Sequence, residues 1–74
     1  MRFSVYPKDH PPPHAHAYVG DGYVIIELTA DRRVVVVARR DAIENAKASE
    51  VRKVLSLAVQ HFDELTRLWE IVQT

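Results

Sequence analysis

With 74 residues, ten Lys and Arg against ten Asp and Glu, and no cysteine, the chain has room for a single core and cannot form a disulfide, a thiolate metal centre or a cysteine nucleophile. Zero formal net charge argues against a protein that holds nucleic acid mainly by counterion release. Neither the start, MRFSVYPKDH, nor any later run has the apolar length of a signal peptide or a membrane span, so a cytoplasmic chain without membrane contact is expected.

Arg2 to Tyr6 reads as a short edge strand. Pro7 to Pro13 follows as a stiff loop, because three consecutive prolines fix their own backbone and push each preceding residue toward extended geometry. His14 to Val19 is the next strand, closed by Gly20-Asp21-Gly22, a glycine content that suits a tight hairpin. Tyr23 to Thr29 and Arg33 to Ala38 are rich in β-branched residues and read as two further strands joined by a polar turn. Asp41-Ala42-Ile43-Glu44 has capping-box spacing and predicts a short helical turn.

From Ser49 onward the apolar period changes. Val51, Leu55, Ala58, Phe62, Leu65, Trp69 and Val72 are spaced alternately four and three apart, the stripe of an amphipathic helix. Ser49 is the expected N-cap, Glu50 suits the first turn, and Asp63 with Arg67 forms an i,i+4 pair. One helix to about Gln73 is expected, the alternative being a break at His61-Phe62-Asp63 with Asp63 capping a second piece.

The elements add up to one α+β domain over residues 1–74, a three- to four-stranded antiparallel meander packed against a long C-terminal helix. Both faces of Tyr23 to Leu28 and of Val34 to Ala38 carry apolar residues. One helix covers one face, so a second copy of the chain or a small cognate protein is expected on the other.

Side chains alternate across a strand, so His14, His16 and Tyr18 should share one face, with Ala15, Ala17 and Val19 on the core face. Two imidazoles two residues apart lie roughly 7 Å from each other. With Asp9 and His10 held beside them by the proline loop, they form a candidate site for a divalent transition metal, with Asp9, His10, His14 and His16 as ligands. The same His10, His14 and His16 could instead serve as acid and base in phosphodiester chemistry, since imidazole titrates near neutrality. The plainer alternative is that one histidine clasps the loop and the others are solvated.

Other polar residues carry less. Tyr18 and Tyr23 could stack a base or simply pack across strands. Arg32, Arg33, Arg39 and Arg40 make the middle of the chain locally basic, either as a solvated surface or as an RNA contact. His61 reads as a solvated or capping side chain and Trp69 as core. No phosphate-cradling glycine loop, serine elbow or metalloprotease helix motif is present in the sequence.

The run Tyr6-Pro7-Lys8-Asp9-His10-Pro11-Pro12-Pro13-His14-Ala15-His16, then a hairpin, then a helix with His61, Asp63-Glu64-Leu65 and Trp69, resembles the small bacterial domain of unknown function numbered 4160. That family's hallmark is an acidic residue, a His, a Pro-Pro-His-aromatic-His run, and a late His, Glu-Leu and Trp. The resemblance covers nearly the whole chain. It implies one half of a toxin–antitoxin-like pair, encoded beside another small domain, with no defined chemistry, and it singles out Asp9, His10, His14 and His16. Two departures stand out: Ala15 replaces the usual aromatic, and Ala46-Lys47-Ala48 stands where a leucine-proline helix entry is usual.

Three functions are therefore expected to compete. They are a protein-interaction module of such a pair, a histidine-based or metal-dependent ribonuclease-like toxin, and a purely structural histidine-proline clasp.

Overall fold

The computed structural model describes residues 1–73. Five strands form one antiparallel sheet: β1 (Arg2–Ser4), β2 (His14–Val19), β3 (Gly22–Leu28), β4 (Val34–Val36) and β5 (Ile43–Glu44), in the order β1-β2-β3-β4 with β5 also on β3. Two helices, α1 (Ala48–Gln60) and α2 (Phe62–Gln73), complete the fold. The expected α+β meander is what the chain forms.

The β2–β3 hairpin sets the register, with Val19 opposite Gly22 and His14 opposite Glu27. Gly20 takes a positive φ of 56° in the turn, which a side chain would resist. Gly22 is required for a different reason. A Cβ there would lie 2.1 Å from the Glu44 carbonyl oxygen and 2.3 Å from that of Asn45, so the backbone after β5 crosses directly over it.

The strand expected over Arg33 to Ala38 is shorter than anticipated, covering Val34–Val36. Pairing stops after Val36, although Val37 N–H still donates to the Ile25 carbonyl. The chain then loops out and returns, the Ala42 carbonyl accepting from Ile25 N–H at 2.7 Å before Ile43 pairs with Val24. One side of β3 is thus served in turn by β4, an excursion and β5. This corrects the helical turn expected over Asp41 to Glu44: Ala42 and Ile43 spend their backbone groups on β3, and the Asp41 carboxylate is taken by Arg39 rather than by a helix N-terminus.

The helical region is two helices meeting at His61, the alternative expected of the sequence, so the single continuous helix is not what forms. The N-cap is Lys47, not Ser49, which lies inside α1; Glu50 Oε1 accepts from the Lys47 N–H at 2.9 Å. Asp63 neither caps α2 nor pairs with Arg67 first. Its carboxylate accepts from Arg32 at 2.8 Å, and the same guanidinium lies 5.0 Å over the Phe62 ring. The helix junction is therefore tied to the β3–β4 turn.

Ala15 and Ala17 alternate with larger neighbours Val24, Ile26 and Leu28, and this sheet face meets Val54, Ala58, Phe62 and Leu65 in one apolar cluster. Small residues at the centre of β2 let the helices approach the sheet closely. Val54 is fully buried although it stood outside the expected stripe, whereas Val51 and Leu55 are only half-buried. Among the described residues, no helix is long and apolar enough to cross a membrane.

Candidate functional site

The face of the sheet turned away from the apolar cluster is assembled by the ladder registers. Arg2 and Ser4 of β1 stand opposite Tyr18 and His16, and Tyr23, Ile25 and Glu27 of β3 stand opposite Tyr18, His16 and His14. The expected division of β2, with His14, His16 and Tyr18 away from the core, holds: Ala15 and Ala17 are fully buried on the other side.

The rings on this face touch in a continuous array. His16 lies at its centre, with the Tyr6 ring edge-on at 5.0 Å, Tyr18 nearly parallel at 6.4 Å, and Tyr23 and His14 at 6.4 and 6.1 Å. The Tyr6 and Tyr18 hydroxyls share a hydrogen bond, and that bond, followed by partial burial, holds the Tyr18 phenol above its ordinary value. The Arg2 guanidinium covers the Tyr18 ring at 4.7 Å, a cation–π arrangement.

The two strand histidines sit in different chemical settings. His14 Nδ1–H donates to the Pro12 carbonyl at 2.9 Å, its Nε2 faces Asp9 Oδ2 at 3.2 Å, and its ring packs against Trp69 at 5.1 Å. Both nitrogens are therefore committed to the proline loop, and the ring behind them to α2. His16 Nδ1, by contrast, is buried without a hydrogen-bond partner. Burial and the neighbouring His14 lower the His16 pKa from its ordinary 6.5, which keeps this imidazole neutral near neutral pH.

Beyond His14 the proline loop, with a cis Pro11–Pro12 bond, closes one side of a cleft of about 280 Å³. Asp9, His10, Pro12, Glu27, Val37 and Arg39 are among its walls. Asp9 Oδ2 is buried and, despite the approach of His14, makes no aligned hydrogen bond. Arg39 is spent on Asp41, through Nε at 3.1 Å and Nη2 at 3.3 Å.

Of the expected site residues, Asp9, His14 and His16 come together, while His10 is an exposed wall of the cleft. Among the described residues, no three His, Asp or Glu side chains form a group that could hold a metal ion. The basic middle segment is largely neutralised in place: Arg32 pairs with Asp63, Arg33 with Asp31 and Arg39 with Asp41. His61, at the helix junction, pairs with Glu64 at 3.0 Å and takes no part in the ring array. Arg2, Tyr6 and Glu27 were not among the expected site residues: Arg2 and Glu27 join the face through the strand register, which alternation within a strand does not give, and Tyr6 through the chain after β1.

A family model described as Domain of unknown function (DUF4160) matches residues 1–70 of the chain. No curated protein and no solved structure matches it.

Proposed function

We propose, from the premise that the chain belongs to the DUF4160 family, that it is a protein-interaction module whose partner docks on the sheet face that carries the ring array. One observation carries this reading. Tyr6, His16, Tyr18 and Tyr23, with Arg2 over Tyr18, form a contiguous half-exposed surface on the face away from the apolar cluster. Tyrosine and arginine are the residue types that dominate binding energy at interfaces, because they bury much area with few rotors and keep a polar end. The expected partner is a small cognate protein, as the toxin–antitoxin-like pairing implies, and a second copy of this chain is the other candidate.

The histidines divide between the remaining readings. For His14, the clasp is favoured, since both its nitrogens face the loop it holds. For His16, burial leaves Nδ1 without a partner and disfavours the charged ring, so this residue serves as the neutral centre of the ring array. Acid–base phosphodiester chemistry needs a second free imidazole beside the first; His14 is held by the loop, and His10 stands on the exposed wall of the cleft, outside the ring array.

The test is co-purification of the tagged native chain and of a Tyr18→Ala, Tyr23→Ala variant from its own cells, followed by light scattering of the complex. A stoichiometric complex that the variant loses is expected. A strictly monomeric native chain with no retained protein would refute the reading.

A further inference from the structure

Resting on that interaction reading, we infer that the partner segment is extended and carries charges of opposite sign four residues apart: an acidic side chain that meets Arg2, and a basic one that enters the cleft beside Asp9 and Glu27.

The docking face is electrically polar along β2. At one end stands Arg2, which is exposed and has no carboxylate partner among the described residues. Beside it are the Tyr6 and Tyr18 hydroxyls. Only one of their two protons lies between them, so the other can be donated outward. This end offers donors and a cation.

At the other end stand Asp9 and Glu27. The Asp9 carboxylate lines the cleft and adds negative charge there, although its Oδ2 is buried against His14 Nε2 at 3.2 Å. Glu27, opposite His14 in the ladder, has no ion-pair or hydrogen-bond partner among the described residues. Arg39, the fixed cation of the cleft, is committed to Asp41 by two hydrogen bonds. Pro11, Pro12 and Val37 line the same cleft and supply an apolar wall for the methylene stem of a lysine or arginine.

The spacing follows from the strand. Tyr18 and His14 are four residues apart on β2, about 13 Å at the rise of a β-strand. An extended ligand spans that distance in four residues, with its middle side chains over His16. The rings of His14, His16 and Tyr18 between the charged ends follow β2 itself, with Tyr6 and Tyr23 flanking them, and an extended segment laid along β2 meets them in turn.

The probes are three capped pentapeptides with a Thr-Tyr-Thr centre: one with Glu and Arg at its two ends, one with Glu at both, one with Arg at both. Each is titrated at low ionic strength and followed on the histidine and tyrosine ring signals. The mixed-charge peptide is expected to bind about five- to tenfold more tightly than either other one, a preference that salt removes. Arg2→Glu should switch the preference to the Arg-Arg peptide and Glu27→Lys to the Glu-Glu peptide. Should Glu27→Lys fail to fold, Glu27→Gln should flatten the preference instead.

Equal binding of all three peptides, or a preference that charge reversal leaves unchanged, would overturn the inference. So would an oligouridylate that outcompetes the mixed peptide, which would give the face to nucleic acid. A complex lost in the Tyr18→Ala, Tyr23→Ala variant alongside indifferent peptides would leave the interaction reading standing and sink only this charge pattern.

Discussion

Replacing His14 by alanine should destabilise the domain well beyond what replacing His16 does, although both are half-buried imidazoles on one strand face. His14 makes a 2.9 Å hydrogen bond to the Pro12 carbonyl, an ion contact to Asp9 at 3.2 Å, and a ring contact with Trp69 at 5.1 Å. A hydrogen bond contributes about 1 kcal/mol, and an aromatic pair about 0.5–1.5 kcal/mol beyond its area. With the Asp9 contact weakened by partial exposure, the total is about 2–3 kcal/mol. That is a large share of the stability of a small domain. His16 has no hydrogen bond to lose, three of its four ring contacts stand at the long separations of 6.1 to 6.4 Å, and its removal relieves the desolvation of the unpartnered Nδ1, so His16→Ala should cost about 1–1.5 kcal/mol.

Urea unfolding followed by tryptophan fluorescence measures both, and Trp69 reports on the His14 side directly. An Asp9→Asn variant separates the ion contact from the rest, and its effect should vanish in the His14→Ala background. Equal losses for His14→Ala and His16→Ala, or a larger loss for His16, would refute the assignment of His14 as the clasp between the proline loop, β2 and α2.

Two further outcomes follow from the same structure. The His16 pKa is lowered in the folded chain, chiefly by burial and next by His14, so below pH 6.5 the unfolded chain binds the extra proton. Stability should therefore fall as the pH drops through 6.5 toward the folded value, and a His16→Gln variant should show a shallower fall; identical pH profiles in parallel melts would contradict the burial. Gly22→Ala should cost about 1–3 kcal/mol, because its methyl group would meet the Glu44 and Asn45 carbonyls and push β5 off β3; a melting temperature equal to the native chain's would show that this crossing is loose.

The site was legible in part for a plain geometric reason. Period-two alternation is enough to assign His14, His16 and Tyr18 to one face of a strand, and the prolines announce the loop that holds Asp9 near them. What alternation does not give is the register between strands, and the register decides that Ser4 and Ile25 flank His16 and that Glu27 faces His14. Which nitrogen of which imidazole is free is finer still. His14 and His16 are equivalent in the sequence and differ only through the Pro12 carbonyl, Asp9 and Trp69, groups brought up by a loop and by a helix.

The sequence by itself determined the α+β class, the β2–β3 hairpin and the polarity of β2, because turn residues, β-branched runs and apolar periodicity are local properties that each segment expresses alone. Capping-box spacing at Asp41 to Glu44 was also local, yet it yielded to β5, because the β3 backbone groups of Ile25 and Val24 were there to be paired. The same is true of the helix break. A stripe that reads as one helix is divided at His61, where α2 turns to bury Phe62, Leu65 and Trp69 and where Asp63 reaches Arg32 across 31 residues of chain. Tertiary structure decided these points because long-range partners satisfy backbone and charge better than the nearest neighbours in sequence can.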